Sequence, residues 1–388
     1  MRTRGVPAMV VAVVAAMVAG CGSEPSSTTP PDGGADTPVA AFGSANATPS
    51  PAGSPTPPPT EAPAFRAGNP KGTAAVPAEA RPVDTSRPDR VVGTGTPASC
   101  TSTAVVSAVA AGGIITFDCG PAPVTIAMKA TAKVVNARSR VVLDGGGTVT
   151  LSGGGARRIL YLNTCDKAQG WTTSHCDDQS SPRLTVQNIT LANGNATGQT
   201  VDGGGGGAIF ARGGRLKVSN VRFTGNRCDR TGPDLGGAAI RALDQYHRLP
   251  VYVVSSTFTG GVCSNGAGFS SIGVSWVVLN SLFTGNAAVG SGANPARGGT
   301  AGGGSGGAIY LDGNLITLRL AGTVIERNTA NEGGGAVFFV SNDRTGTMRI
   351  EKSTLRGNPS RGFETAGFPG IFFLGAANPT VTGSTLTK

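Results

Sequence analysis

The sequence predicts an all-β solenoid, and three observations support this prediction. One phrase recurs as "VRFTGNRC" at Val221–Cys228, "STFTGGVC" at Ser256–Cys263 and "SLFTGN" at Ser281–Asn286. A second phrase, "GGAI" in its simplest form, precedes most copies, as at 206–209 and 306–309. Both phrases alternate apolar with polar residues and are rich in Val, Ile, Leu, Phe and Thr, which is typical of strands. Two short strands per period, each closed by Gly or Asn, indicate a repeat solenoid.

The chain begins with a segment typical of export. Arg2 and Arg4 precede an apolar run, Val6–Gly20, that is too short to span a bilayer. Val18-Ala19-Gly20-Cys21 resembles the lipobox of bacterial lipoproteins. The resemblance implies that residues 1–20 are a removed signal peptide and that Cys21 carries the lipid. The alternative is an ordinary cleaved signal followed by a chance cysteine.

Residues 21–96 are predicted to be a disordered tether. The segment is rich in Pro, Ser, Thr, Ala and Gly and has almost no bulky apolar residues, so it cannot bury enough surface to offset chain entropy. Residues 97–388 are then the folded domain. We expect the protein to be exported and lipid-anchored at the cell membrane or outer membrane, with an extracytoplasmic domain held away from the membrane.

The 388-residue chain carries a net charge of +10, and the excess lies in the folded domain. A basic extracellular surface favours anionic partners such as an acidic polysaccharide or cell-wall polymer, beside the membrane that holds the lipid. Aromatic residues are only 5% of the chain, which disfavours nucleic acid because few side chains could stack on bases. Scattered solvated arginines are the alternative explanation for the charge.

The domain is predicted to open with a helix. "TSTAVVSAVAA" at Thr101–Ala111 starts with a hydroxyl residue, places Val105 and Val109 on one face and ends before Gly112-Gly113, so it indicates a short amphipathic cap. Strands follow, beginning with "IITF", "VTIAM" and "RVVLDGGGTVTLSGGG". The number of residues between the phrase ending in Asn and the next "GGAI" phrase varies most from one period to the next. Glycine-rich runs such as Gly298–Gly307 are therefore expected to be loops at one corner of the solenoid.

These repeats resemble right-handed parallel β-helix proteins with the pectin-lyase-like fold, and "GGAI" with "FxxN" is similar to the repeat of bacterial polymorphic outer-membrane proteins. The resemblance covers about residues 97–388 and implies a right-handed parallel β-helix. Its family includes lyases, hydrolases, adhesins and structural proteins, so it is specific for architecture and not for activity.

In such a fold, equivalent residues of successive coils stack about 4.8 Å apart. We therefore expect a structural ladder of asparagines at the end of the phrase, comprising Asn193, Asn226, Asn286, Asn328 and Asn358. Apart from Cys21 the chain has six cysteines, which allow fifteen pairings. Cys228 and Cys263 occupy one position in neighbouring coils and are expected to pair, with Cys100–Cys119 stapling the cap and Cys165–Cys176 closing a loop.

Two segments that interrupt the repeat carry candidate ligand-binding residues. "CDKAQGWTTSHCDDQSS" at Cys165–Ser181 offers Trp171, His175, Asp177 and Asp178, since an exposed indole beside acids can bind a sugar ring. "DQYHR" at Asp244–Arg248 adds His247 and Arg248. Solvated charges on a disulfide-closed surface loop are the alternative.

The weak catalytic candidates are Asp312, Asp343, Arg344 and Asp244. Counting back from the ladder places Asp312 and Asp343 about one coil apart, with Arg344 alongside, although Asp is also a common turn former. Hydrolases of the resembled fold need paired carboxylates, and its lyases hold calcium with clustered acids. This chain lacks the further motifs of those enzymes and shows no His/Cys metal cluster, so no metal or cofactor is expected, and calcium enters only if the protein is a lyase.

The sequence therefore predicts a lipid-anchored envelope protein that displays a β-helix for binding, adhesion or structural support, without catalysis. The alternative is a polysaccharide lyase or glycoside hydrolase acting on an acidic glycan.

Overall fold

The computed structural model describes residues 65–200 and 203–388. The predicted signal peptide, Cys21 and most of the predicted tether lie outside the described residues. The described chain is an all-β solenoid of parallel strands with one α-helix, as the repeats predicted. No helix in this part of the chain is long and apolar enough to cross a membrane.

Each coil contributes strands to three parallel faces. In face 1 the strands are β1 Arg90–Val92, β2 Gly113–Phe117, β5 Arg140–Asp144, the first halves of β8 Arg183–Ala192 and β10 Arg215–Thr224, β12 Val251–Val254, β16 Trp276–Leu279, β20 Thr317–Ala321, β24 Thr347–Glu351 and β27 Thr380–Thr382. Face 2 holds β3 Val124–Ala127, β6 Val149–Ser152, the second halves of β8 and β10, β13 Thr257–Thr259, β17 Leu282–Thr284, β21 Val324–Glu326, β25 Thr354–Arg356 and β28 Thr385–Thr387.

Face 3 contains the "GGAI" phrases, from β9 onward. Its strands are β4 Ala132–Lys133, β7 Leu160–Asn163, β9 Ile209–Arg212, β11 Ile240–Leu243, β15 Phe269–Ile272, β19 Ile309–Gly313, β23 Val337–Ser341 and β26 Ile371–Leu374. Three short strands lie between faces 2 and 3, namely β14 Val262–Cys263, β18 Ala287–Ala288 and β22 Thr329–Ala330.

The recurring "FTG" phrase places a row of stacked phenylalanines in the hydrophobic core. Phe223, Phe258 and Phe283 share one register position in three successive coils, and their rings stack with centroids 4.5 Å apart at each step. All three are essentially inaccessible to solvent. Burying a phenylalanine contributes about 1.5–3 kcal/mol, and stacking adds to it. The phrase therefore recurs because the phenylalanine of each coil packs against the equivalent ring of the neighbouring coils.

The asparagine ladder is present, with one correction. Asn286 donates from Nδ2 to Oδ1 of Asn328 at 2.8 Å, and Asn328 donates likewise to Asn358 at 2.9 Å. Asn226 holds the backbone of the preceding coil, because its Oδ1 accepts from the Gly194 N–H at 2.8 Å. The prediction for Asn193 was wrong, since the register places it opposite Gly225, with φ of 52° and an exposed side chain.

The N-terminal end is closed by a helix, α1 Ser102–Ala111. The Thr101 side chain accepts from the Ala104 N–H at 3.2 Å, and Gly112 ends the helix with φ of 73°. Val105 and Val109 are fully buried over the first coils. The disulfides join the expected partners, with Cα–Cα distances of 5.7 Å for Cys100–Cys119, 4.9 Å for Cys165–Cys176 and 4.8 Å for Cys228–Cys263.

The predicted tether boundary at residue 96 is too late. Residues 65–89, here called the strap, lie along the outside of faces 1 and 2, and β1 adds a strand to face 1. Asn280 accepts from the Ala74 N–H at 2.8 Å and donates to the Ala74 carbonyl at 2.9 Å. Gln187 makes the same pair of bonds with Val83. Side-chain amides of the coils, rather than a large apolar surface, therefore order this Pro- and Ala-rich segment.

A small apolar cluster adds to those hydrogen bonds. Ala80 of the strap is fully buried against Val254, Leu279 and Ala321 on the outer surface of face 1. The strap thus covers an apolar patch that would otherwise be exposed. The composition of the strap did not predict its ordered packing, because the residues that it contacts lie in coils far along the chain.

Candidate functional site

The two predicted excursions meet at one corner of the solenoid. The first, residues 165–181, is closed by the Cys165–Cys176 disulfide and is called the pinched loop. The second, residues 244–248, is called the corner turn. The Asp178 carboxylate accepts from the His247 backbone N–H at 2.6 Å, and the His247 Nε2 lies 3.7 Å from the same carboxylate. Residues 69 positions apart are therefore joined at one site.

Arg212 links the pinched loop to face 3. It ends β9, and its Nε and Nη2 donate to the two oxygens of Asp177 at 2.7 and 3.3 Å. Arg212 is aligned with Leu243 of β11, so the next residue, Asp244, starts the corner turn beside it. Sequence reasoning missed Arg212; the alignment of "GGAIFAR" with "GGAAIRAL" was the available signal.

Asp244 is a carboxylate with a raised pKa at this corner. Burial raises the pKa of Asp244, and the neighbouring charge of Asp177 raises it further, while Arg212 and Arg248 oppose the shift. Asp177 is paired with a guanidinium at the same place. Two carboxylates with different environments therefore lie at one corner of the solenoid.

The corner turn is held in a costly backbone conformation. Asp244, His247 and Arg248 have φ of 42°, 49° and 54°, a region that non-glycine residues seldom adopt. The His247 ring stacks on Tyr246 with centroids 3.9 Å apart. Such conformations persist only where surrounding contacts impose them. Other turns of the solenoid share them, for example Arg344 with φ of 61°.

A cavity of about 650 Å³ is lined in part by the first residues of the pinched loop. Lys133, Tyr161, Asp166 and Lys167 are among its lining residues. The Lys133 Nζ lies 5.5 Å from the Tyr161 ring centroid. Burial opposes ionisation of Asp166, but donors from Ala168, Gln169 and Tyr161 together with Lys133 lower its pKa. The cavity thus combines an aromatic ring with fixed charges of both signs.

Trp171 and His175 are exposed on the pinched loop itself. The Trp171 side chain is 46% exposed, and its carbonyl accepts from Asn136 Nδ2 at 2.7 Å, which fixes the backbone that carries the indole. Exposed aromatic faces beside hydrogen-bonding charges suit a polyhydroxyl ligand, because the ring covers C–H faces while charges bind hydroxyls.

Asp312 lies in β19 and Asp343 follows β23, the paired strand of the next coil, but the two carboxylates have different partners. Asn342, rather than Asp343, donates to the Asp312 carboxylate at 2.8 Å. Asp343 caps its own turn, accepting from the Ser341 and Thr345 hydroxyls at 2.6 and 2.8 Å. These hydrogen bonds, Ser341 first, lower the pKa of Asp343 to about 2. Arg344 is exposed in that turn with φ of 61°, so these residues lie in a surface turn.

Cys165, Cys176 and Asp177 lie close enough to share a metal ion by geometry alone. Both sulfurs are joined in a disulfide, and thiolates are the form of cysteine that binds metals. This grouping therefore does not offer a thiolate site.

No protein-family model matches this chain, and neither a curated protein nor a solved structure is significantly similar to it. The site must therefore be interpreted from its own chemistry.

Proposed function

We propose that this protein is an exported lipoprotein, anchored through Cys21, whose parallel β-helix displays a glycan-binding site at the pinched loop. The observation that carries the proposal is the convergence of the pinched loop and the corner turn, through the Asp178–His247 and Asp177–Arg212 contacts. Two excursions from a regular repeat, one of them closed by a disulfide, meet beside an exposed indole and a polar cavity.

The envelope location is part of the same proposal. Three disulfides suit an oxidising, extracytoplasmic compartment. The Val18–Cys21 lipobox-like sequence and the Pro-rich segment after it suit a domain held away from a membrane. The likeness to pectin-lyase-like and polymorphic outer-membrane repeats belongs to the proposal as well and is supported by the phrases and by the parallel solenoid.

The glycan site is tested by tryptophan fluorescence on the full chain carrying Cys21→Ser. Trp276 is fully buried and donates to Ser271 at 2.9 Å, so the exposed Trp171 is the residue that a ligand would perturb. We expect an acidic polysaccharide of the cell wall to shift the emission, and Trp171→Ala to abolish the shift and to weaken retention on immobilised polymer.

The matched control is Leu315→Ala, since Leu315 is 48% exposed and lies in a different coil. Retention by Leu315→Ala must equal that of the parent chain. Equal retention by Trp171→Ala and the parent chain would remove the pinched loop from the binding site.

A second candidate function is a carbohydrate-active enzyme at the same corner. The observation that favours it is the raised pKa of Asp244 beside the Arg212-paired Asp177. In this alternative, Asp244 would supply a proton, and Asp177 would stay held by Arg212 beside it. New polysaccharide chain ends, produced by the parent chain and lost in Asp244→Asn, would establish the enzyme. Calcium would then be tested as an addition to the assay.

A further inference from the structure

Three arginines form a row on the outer surface of face 1. The strand register places Arg140 opposite Arg183, and Arg183 opposite Arg215. These are successive coils, so the row runs along the solenoid axis with a spacing of about 4.8 Å between backbones. The corner turn lies next to the end of the row, since the Tyr246 N–H donates to the Gly214 carbonyl at 3.1 Å, but it contributes none of the three arginines.

The row lines a groove of about 350 Å³. The strap forms one wall through Glu79 and Val83, and Lys217 and Tyr252 lie farther along. Lys217 donates to the Arg81 carbonyl at 2.6 Å, and Tyr252 donates to the Glu79 carboxylate at 3.1 Å. The strap therefore shapes the groove and holds its edge.

Cations outnumber acids in this groove. Its lining includes the three arginines and Lys217 but one carboxylate, Glu79. Arg140 also lies 3.5 Å from Asp89, and Arg90 and Arg138 extend the positive surface beside it. Like charges opposite each other in a sheet repel, so this row opposes folding rather than favouring it.

Arg215 shows this imbalance most clearly. Burial lowers the pKa of Arg215, and Arg183 in the adjacent coil lowers it too, against an opposing effect of Tyr252. The buried Nε of Arg215 has no hydrogen-bond acceptor among the described residues. Burial and then Arg215 lower the pKa of Lys217 in the same way. An acceptor-rich anion in the groove would relieve both effects.

We infer that the arginine row binds a linear acidic polysaccharide that runs along the solenoid axis and presents about one anionic group to each coil. Guanidinium groups recognise carboxylate and sulfate oxygens through paired N–H donors. A row with one arginine per coil matches a chain with regularly repeated anions, whereas a single small anion would contact only part of it. The inference adds a second site, made of other residues than those of the proposed glycan site.

The test uses the full chain carrying Cys21→Ser on immobilised polygalacturonate, with heparin, dextran and duplex DNA as further arms. The variant is the triple change Arg140→Gln, Arg183→Gln and Arg215→Gln. Its matched control is Arg227→Gln, Arg230→Gln and Arg361→Gln, three exposed arginines whose loss changes the net charge equally. We expect binding to polygalacturonate or heparin, at least about tenfold weaker binding by the row variant, and little change in the control.

Loss of binding in both triple variants would show that total charge alone is responsible and would overturn the inference. Binding to duplex DNA in preference to both polysaccharides, or to none of the polymers, would overturn it as well. Arg183→Gln in the ligand-free chain supplies a second readout. Its melting temperature should be unchanged or higher, because repulsion is relieved, and a clear decrease would show that the row serves folding instead. Trp171→Ala should retain binding through the row, which separates this inference from the proposed glycan site.

Discussion

Replacing Asn328 with alanine should weaken the solenoid severely. The fully buried Asn328 side chain takes part in five hydrogen bonds: it accepts from the Asn286 N–H and Nδ2 and donates to Asn358 Oδ1 and to the Phe283 and Glu326 carbonyls. The substitution leaves the buried Asn286 N–H without an acceptor. One orphaned donor costs about 1–3 kcal/mol, and each lost bond adds about 0.5–1.5 kcal/mol. We expect a loss of about 3–5 kcal/mol in the free energy of unfolding.

The measurement is equilibrium guanidinium unfolding, followed by circular dichroism with the disulfides intact. The control is Asn193→Gly, because Asn193 ends the same phrase but is exposed at a positive φ that glycine adopts freely. We expect Asn193→Gly to change stability by less than about 1 kcal/mol. A loss below about 1 kcal/mol for Asn328→Ala, or equal losses for the two variants, would refute the assignment of the ladder as a structural element.

Three further predictions concern charge and covalent links. Asp343→Asn should lower the melting temperature at neutral pH. The folded pKa of Asp343, about 2, lies below the ordinary 3.8, so the ionised carboxylate stabilises the fold above pH 3.8. This stabilisation is lost as the pH falls through about 2, where the melting temperatures of variant and parent should converge. Asp244→Asn should raise the melting temperature at neutral pH, because the raised folded pKa makes the ionised carboxylate destabilising there, and it should have no effect in acid. An unchanged melting temperature at both pH values would contradict a partly buried carboxylate beside Asp177. Removing the Cys228–Cys263 link by a double change to alanine should cost about 4 kcal/mol in guanidinium unfolding, from the entropy of a 35-residue loop, and a loss similar to that of a single surface substitution would contradict this estimate.

The fold followed from the sequence because each coil repeats the same packing problem. "FTG" and "GGAI" positions recur at one register, so aligning the phrases also aligned the stacked phenylalanines and the Cys228–Cys263 pair. Asn193 was assigned wrongly because its phrase ends in "ANGNA", where a shift of one residue exchanges the inward amide for an exposed turn position. The register of backbone pairing, which the phrase alone leaves open, decided this position.

The site was harder to predict, because it depends on which coils face each other. The pinched loop and the corner turn were each recognised as excursions, but their contact through Asp178 and His247 depends on coil stacking. The spacing from the ladder predicted Asp312 and Asp343 one coil apart. In the structure Asn342 is the residue that contacts the Asp312 carboxylate, because the turn after β23 directs the Asp343 carboxylate back to Ser341. The strap was missed for a similar reason, since its partners Gln187 and Asn280 lie far away in sequence.

The most direct test of the account is an array of acidic and neutral polysaccharides incubated with the full Cys21→Ser chain, read for retention and for new chain ends, with and without calcium. We expect retention of at least one wall polysaccharide without cleavage, and loss of the fluorescence response in Trp171→Ala. New chain ends that disappear in Asp244→Asn would contradict a binding module and establish an enzyme. The absence of both retention and cleavage would contradict the glycan site altogether.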